Sequence, residues 1–304
     1  MVRLRSFLLV PVLILFALSL KLRSQNQIDR ANFELNTVLM ETTFKIEGRT
    51  ALGQPTIGTA FIMSRPFDKP PADQPNLSAH VLITAAHVLN EMQGDTAVLH
   101  YRRKVDANTW TRVPQPVPIR TNGQPLWKKH PDADVAVMYV ALPQDDSMPN
   151  ISTDVLADDK ILADYEIHPG DELECLGYPF GQESNDAGFP VLRSGKIASY
   201  PLLPTSKTKT FLFDFRIFKG NSGGPVYFVQ SNRWYKNGGV KLGQTIHIIV
   251  GLVSQESLIQ QQISGPYSEE VRQFQLGLAV VVHASLIKQA INLLPPPDTI
   301  FPLK

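Results

Sequence analysis

Short runs of apolar or alternating residues, separated by glycine, proline, asparagine and aspartate, make up most of the chain after its first few dozen residues. Such runs, bounded by turn-forming residues, are typical of β-strands. We expect strands at residues 38–46, 56–63, 80–84, 97–101, 135–141, 172–176, 191–199, 210–217, 226–229, 246–254 and 276–282. Helical spacing of apolar residues is found mainly at 284–294, and prolines at 295–297 end it.

A polar, aspartate-rich stretch between residues 143 and 169 divides these strands into two sets of five or six. Closing each set into a barrel removes the exposed edges that open sheets must protect. We therefore expect an all-β fold of two six-stranded antiparallel β-barrels. The first occupies residues 36–150, the second occupies 165–294 with the C-terminal helix, and 295–304 form a tail.

The first residues indicate export. Arg3 and Arg5 precede an apolar run at 7–20, and Lys21 and Arg23 follow it. The run is shorter than the roughly 20 residues of a spanning helix and suits a signal peptide. We expect residues 1–23 to be a signal peptide, with a membrane anchor at 7–20 as the alternative.

The chain has one cysteine, Cys175, so no intramolecular disulfide can form, and its apolar neighbours favour a buried thiol. An exported protein without disulfides fits a bacterial envelope, either periplasmic or secreted. With 29 basic and 28 acidic residues, the chain has no electrostatic footprint for nucleic acid, and we expect no such partner. The oligomeric state stays open.

A candidate nucleophile, Ser222, lies in the sequence GNSGGP at 220–225. A serine hydroxyl needs a neighbouring base and an orienting carboxylate. His87 follows the strand at 80–84 and is the candidate base, while Asp134 opens an apolar strand where a carboxylate can contact the imidazole. Asp132 is the rival carboxylate, although its place beside Pro131 favours a solvated turn.

The same glycines also match the G-x-S-x-G elbow of α/β-hydrolases. That elbow requires the acid and the histidine to follow the serine, and no aspartate occurs between Ser222 and His283. Three glutamates are available there, but in an unsuitable sequence context: Glu256, Glu269 and Glu270. The order His87, Asp134, Ser222 and the many short strands favour the double-barrel class instead.

Four motifs carry a family resemblance: GTAF at 58–61, TAAH at 84–87, DVAV at 134–137 and GNSGGP at 220–225. Over most of residues 36–292 the chain resembles trypsin-like, chymotrypsin-fold serine peptidases, closest to the bacterial HtrA-type enzymes. LGYPFG at 176–181 is similar to the turn that opens their second barrel. Unlike many HtrA-type proteins, this chain is expected to lack a PDZ domain.

The resemblance implies an oxyanion hole formed by the backbone N–H groups of Gly220 and Ser222. It also implies that the strand at 250–254 pairs with an extended peptide, which makes Ser254, Gln255 and Glu256 the candidate substrate-binding residues. Gln255 and Glu256 replace an aromatic residue and a glycine of the digestive enzymes, so we expect a narrower, more polar pocket entrance.

Three further residues bear on specificity and activation. Arg216 falls near the position that sets primary specificity in the resembled family, but an exposed or Asp214-paired arginine is the preferred interpretation. His283 is interpreted as a half-buried histidine between strand and helix. Asn221 replaces the aspartate that trypsin-like zymogens use on activation, so we expect no switch of that kind.

The leading hypothesis is an exported serine endopeptidase that acts on polypeptides through His87, Asp134 and Ser222. It requires no metal and no cofactor. A non-catalytic peptide-binding member of the same fold and an esterase with the same triad are the alternatives. The sequence leaves open the preferred side chain at the cleaved bond.

Overall fold

The computed structural model describes residues 34–143, 148–236, 239–240, 244–265 and 268–301, and the expected leader at 1–23 lies outside them. No helix within these ranges combines the length and apolar character that crossing a membrane requires. The helices are α1 (Leu35–Thr42), α2 (Ala86–Glu91), α3 (Asp159–Asp164), α4 (Ala284–Asn292) and α5 (Pro297–Ile300), with single 3-10 turns at Thr153–Val155 and Pro179–Gly181.

The first half of the chain forms a seven-stranded antiparallel sheet in the order β5-β4-β1-β2-β3-β9-β8. A separate two-stranded hairpin, β6 with β7, lies between β5 and β8 in the chain. The strands are β1 (Thr43–Arg49), β2 (Pro55–Pro66), β3 (Ser78–Thr84), β4 (Gln93–Lys104), β5 (Trp110–Pro118), β6 (Arg120–Thr121), β7 (Gln124–Pro125), β8 (Lys128–Lys129) and β9 (Ala136–Tyr139).

The second half contains a closed six-stranded barrel, as expected, in the order β10-β11-β12-β17-β16-β13. Two short strands, β14 and β15, pair outside it. The strands are β10 (Glu172–Gly177), β11 (Val191–Ile197), β12 (Thr210–Asp214), β13 (Pro225–Ser231), β14 (Trp234–Tyr235), β15 (Gly239–Val240), β16 (Thr245–Gly265) and β17 (Ser268–His283).

The first half is an open sheet rather than the expected six-stranded barrel, and its edges are β5 and β8. β5 was not predicted as a strand, because it carries Pro114, Pro116 and Pro118. Its ladder to β4 is continuous, so the missing N–H groups of these alternate residues all fall on the edge that faces away from β4. That edge lacks the donors that closure would need.

The strand predicted at 38–46 is wrong in its first part, where the chain forms α1 before β1 begins at Thr43. The Glu34 carboxylate caps this helix by accepting from the N–H groups of Asn36 (3.0 Å) and Thr37 (2.6 Å). Leu35 and Leu39, one helical turn apart, are fully buried. A spacing of four between buried residues is typical of a helix. The strand prediction assumed instead that buried and exposed residues alternate.

The predicted C-terminal helix is α4. Its apolar face, which includes Leu286, Ile287 and Ile291, belongs to the same buried cluster as the first sheet. Beyond α4, within the expected tail, α5 precedes Phe301, whose ring packs edge-on against that of Tyr139 at 5.6 Å between centroids. The end of the chain therefore folds back onto the first half.

A buried arginine joins the two halves. Arg102 of β4 is 1 % exposed, and its guanidinium lies 4.5 Å from the Phe44 ring centroid and 4.4 Å from that of Phe189. It donates to the Thr43 carbonyl (2.7 Å) and the Gly188 carbonyl (2.8 Å), and further to the Tyr178 hydroxyl and the carbonyls of Met40 and Glu41. Its hydrogen-bond partners in the described chain are thus oxygens contributed by both halves.

We predict that Arg102→Leu lowers the free energy of unfolding by about 3–5 kcal/mol, because the change leaves several buried carbonyl oxygens without donors. Arg103→Leu, at the exposed neighbouring position, is the control and should change it by less than about 0.5 kcal/mol. Urea unfolding of both variants measures the difference, and equal effects would contradict the structural role of Arg102.

His283, at the end of β17, is more deeply buried than expected, at 2 % exposure. Its ring lies 4.9 Å from that of Phe211, and neither ring nitrogen has a hydrogen-bond partner among the described residues. Burial lowers the pKa of His283 to about 4, despite the opposing charge of Asp159. The imidazole is therefore neutral in the folded protein at neutral pH.

We predict that His283 makes the protein sensitive to mild acid. The unfolded chain takes up the proton near pH 6.5 and the folded chain only near pH 4, so stability falls as pH decreases through this window, by on the order of 3 kcal/mol. His283→Phe should abolish this part of the pH dependence in urea unfolding, whereas His168→Phe, at an exposed site, should retain it. Identical profiles for the two variants would contradict this prediction.

Candidate active site

The structure places His87 against Asp134. His87 lies in the first turn of α2, directly after β3, and Asp134 lies just before β9. The His87 Nδ1 atom is 2.7 Å from Asp134 Oδ2, and the His87 backbone N–H donates to Oδ1 at 2.9 Å. One carboxylate therefore fixes both the position of the residue and the orientation of its ring.

Ser254 completes the surroundings of this carboxylate. Its hydroxyl donates to Asp134 Oδ2 at 2.6 Å, and the residue is 4 % exposed. Burial would raise the pKa of Asp134, but the hydrogen bond and charge of His87, with the Ser254 hydroxyl, lower it to about 2. Asp134 is thus ionised throughout the neutral range.

The pKa of His87 is shifted in the opposite direction. Burial would lower it, but the hydrogen bond to Asp134 and the negative charges of Asp134 and Glu91 outweigh burial and raise it. A histidine with this environment accepts a proton more readily than a free imidazole does.

Asp132, the rival carboxylate, points elsewhere. It forms an ion pair with Lys209 at 3.0 Å on the surface, and the hydrogen bond to Lys209 lowers its pKa. Of the two aspartates, only Asp134 hydrogen-bonds to His87 among the described contacts.

The Ser222 loop, residues 218–224, lies between the two halves. Thr59 of β2 donates its backbone N–H to the Ser222 carbonyl at 2.9 Å, and the Gly223 N–H donates to the Val253 carbonyl at 2.7 Å. The loop is therefore hydrogen-bonded both to β2 and to β16, the strand that contains Ser254. Within the described residues, no hydrogen bond is found between the Ser222 hydroxyl and His87.

Between Gly220 and Gly224, the backbone N–H groups of Gly220 and Ser222 have no acceptor among the described residues. The intervening and following ones, of Asn221, Gly223 and Gly224, all donate to carbonyls. Unpaired N–H groups are rare in buried backbone, and Gly220 is buried. This part of the loop thus keeps one donor free on each side of Asn221.

The direction of the Gly220 N–H follows from its peptide bond. The Lys219 carbonyl accepts from the Phe180 N–H at 2.7 Å, and the N–H of a trans peptide points opposite to its C=O, so the Gly220 N–H points away from Phe180. Gly220 has φ +99°, and a Cβ there would lie 2.2 Å from the Tyr178 carbonyl oxygen. Only glycine fits this position.

The candidate substrate-binding residues lie on β16 at an irregular point. The pairing of β16 with β17 shifts between Val253 and Gln255, which marks a β-bulge at Ser254. The Ser254 side chain faces Asp134, Gln255 is exposed, and the Glu256 backbone pairs with Ala279. The support of Asp134 by the Ser254 hydroxyl was not predicted, because it depends on this bulge.

A cavity of about 550 Å³ lies beside His87 and Asp134. Its lining includes the Asp132–Lys209 ion pair and Glu91. Nothing in the sequence indicated that Lys209 and Glu91 belong to the site. The remaining lining residues are Ala133, Thr210, Ser254, Gln255, Val280 and Val282. In the described part of the chain, no cluster of three or more histidine, cysteine or acidic residues is arranged to hold a metal ion.

The other candidates lie outside this cavity. Arg216 is exposed, beyond the end of β12, with its guanidinium 5.6 Å from the Phe218 ring centroid. Asn221 is 2 % exposed. Cys175 is buried as predicted, and burial raises the pKa of its thiol to about 12.

Residues 71–234 match the model of the trypsin-like peptidase domain, and the match includes His87, Asp134 and Ser222. Since it covers more than half of the chain, the protein belongs to the family of trypsin-like peptidase domains. Membership implies serine peptidase chemistry on polypeptide substrates. The resemblance inferred from the four motifs is thereby confirmed at the level of this family.

Two solved structures are similar to this chain at 13 % identity. The protease Anisep from Arthrobacter nicotinovorans aligns over 83 % of this chain and 94 % of its own, with a TM-score of 0.45. The thermostable serine protease AL20 from an extremophilic microorganism aligns over 84 % of this chain and 97 % of its own, with a TM-score of 0.43. A comparison with curated protein sequences gave no match.

We predict that kcat/KM for peptide cleavage falls on acidification with a midpoint above pH 6.5, because His87 must be neutral to accept a proton and its pKa is raised. Asp134→Asn removes the charge that raises this pKa, so the midpoint should shift down while kcat falls on the order of 10³–10⁴-fold. Asp132→Asn should leave the midpoint in place. A shift with Asp132→Asn instead would make Asp132 the orienting carboxylate.

Proposed function

We propose that this protein is a serine endopeptidase in which Ser222 is the nucleophile, His87 the general base and acid, and Asp134 the orienting carboxylate. The observation that carries the proposal is the ionised Asp134, held against His87 Nδ1 at 2.7 Å. This contact leaves Nε2 as the ring nitrogen available to a serine hydroxyl.

In the proposed reaction, Ser222 Oγ attacks the carbonyl carbon of the peptide bond while its proton passes to His87 Nε2. The carbonyl oxygen becomes an oxyanion. When the tetrahedral intermediate collapses, the C–N bond breaks and His87 returns the proton to the leaving amine. Water, deprotonated by the same imidazole, then hydrolyses the acyl-enzyme and regenerates Ser222.

The free N–H groups of Gly220 and Ser222 support the assignment of the oxyanion hole. A fixed donor aimed at a developing negative charge contributes a few kcal/mol to the transition state. The Gly220 donor is fixed by the hydrogen bond between Phe180 and Lys219, which sets the plane of its peptide. We assign Gly220 and Ser222 as the two donors.

One observation favours a second candidate, a peptide-binding protein without catalysis. No hydrogen bond between Ser222 and His87 is found in the described part of the chain. Catalytic hydrogen bonds often form only when substrate binds, so the missing bond does not exclude catalysis. It identifies the contact on which the two candidates differ.

We predict that a fluorophosphonate probe labels the purified protein and that Ser222→Ala abolishes the labelling. Ser231→Ala, which removes a hydroxyl at the exposed end of β13, is the matched control and should be labelled as the wild type is. A mixed peptide library incubated with the wild type should be cleaved at internal bonds, as read by mass spectrometry, and should stay intact with Ser222→Ala.

The alternatives give different results. Peptide binding with neither labelling nor cleavage would identify the non-catalytic member of the fold. Labelling that depends on Ser222, with turnover of small esters but no peptide cleavage, would identify an esterase.

A further inference from the structure

The Thr59 side chain is fully buried between the two halves of the protein. Its hydroxyl donates to the Gly220 carbonyl at 2.7 Å and accepts the Tyr178 N–H at 3.3 Å. Its backbone N–H donates to the Ser222 carbonyl at 2.9 Å. One residue of β2 therefore hydrogen-bonds to the carbonyls of both Gly220 and Ser222, the two residues assigned to the oxyanion hole.

We propose that the Thr59 hydroxyl is a positioning group that fixes the peptide between Gly220 and Asn221, which lies between the two free N–H groups, and thereby keeps the oxyanion hole formed. The inference rests on the proposed peptidase function. In this assignment Thr59 touches neither the reacting atoms nor the substrate. It acts through the peptide between Gly220 and Asn221, whose carbonyl its hydroxyl binds.

Gly220 needs this support because two peptide planes meet at its Cα. The plane before it is fixed by the Phe180 N–H on the Lys219 carbonyl, and the plane after it by the Thr59 hydroxyl on the Gly220 carbonyl. Glycine rotates freely between conformations that other residues avoid. Fixing both planes is what holds its φ at +99°.

The same threonine connects the oxyanion hole to β3, the strand that precedes the base. The Thr84 hydroxyl donates to the Thr59 carbonyl at 2.7 Å, and Thr84 ends β3 three residues before His87. Two buried hydrogen bonds, one to the Thr59 carbonyl and one from the Thr59 hydroxyl, thus link Thr84 through Thr59 to Gly220. Such a buried network is rigid when every member is satisfied.

A purely structural interpretation treats Thr59 as one more buried hydroxyl that is hydrogen-bonded because it is buried. The two interpretations differ in what the loss of the hydroxyl changes. A structural role affects stability alone, whereas a positioning role lowers the stabilisation of the oxyanion while substrate binding stays the same.

Thr59→Val tests the inference, since it keeps the shape of the side chain and removes only the hydroxyl. Relative to wild type, kcat should fall roughly 10-fold or more, KM should stay within about twofold, and a peptide aldehyde, whose adduct places an oxyanion in the hole, should bind roughly 10-fold more weakly. Thr59→Ser, which keeps the hydroxyl, should restore kcat and the affinity for the aldehyde.

Thr42→Val is the matched control for stability, because it removes a hydroxyl bonded to the Val38 carbonyl at 3.0 Å in α1. It should leave kcat and aldehyde affinity unchanged. If Thr59→Val does not fold, Thr59→Ala is measured in the same way, with the same expected direction and the same rescue by serine.

Two results would overturn the proposal, and they are distinguishable. An active wild type with unchanged kcat and aldehyde affinity in Thr59→Val would refute the positioning role alone. A wild type that shows no Ser222-dependent fluorophosphonate labelling would refute the proposed function and, with it, this inference.

Discussion

The guanidinium of Arg102 is the interaction on which the joining of the two halves depends. A buried positive charge is costly unless oxygens surround it, and here the carbonyls of Thr43 and Gly188 come from different halves of the chain. The Tyr178 hydroxyl, a third partner, belongs to the turn after β10. Separating the halves would deprive this charge of the Gly188 carbonyl and the Tyr178 hydroxyl, so the interface is held by more than apolar packing.

The candidate active site divides along the same boundary. His87 and Asp134 come from the first half, while Ser222 and Ser254 come from the second. Hydrogen bonds cross the boundary at both ends of the site, from Ser254 to Asp134 and from Thr59 to the Ser222 loop. The geometry of the proposed chemistry is therefore a property of the interface, and neither half holds the constellation alone.

Much of this arrangement could be predicted from the sequence. Chain order and the surrounding motifs singled out His87, Asp134 and Ser222, because each follows or opens a recognisable strand or lies among small residues. Strand spacing also predicted the second barrel, and the helical spacing of apolar residues predicted the terminal helix. These features depend on local patterns, which a single sequence displays.

The features that were missed depend on contacts between distant residues or on broken local rules. The Ser254 hydroxyl meets Asp134 at a bulge of β16, across 120 positions of sequence, and Thr59 meets Gly220 across 161. Part of helix α1 was predicted as a strand, because the helical spacing of Leu35 and Leu39 was not recognised. β5 was missed because its prolines are typical of loops.

The same prolines have a consequence for how copies of this protein meet in solution. An open sheet presents unpaired backbone groups on which a strand of another molecule can extend it, which is a common route to aggregation. Here one edge lacks the donors of Pro114, Pro116 and Pro118, and the other edge, β8, consists of Lys128 and Lys129 alone. A missing donor set on one side and a short, charged strand on the other make both edges poor templates for a strand of a second molecule.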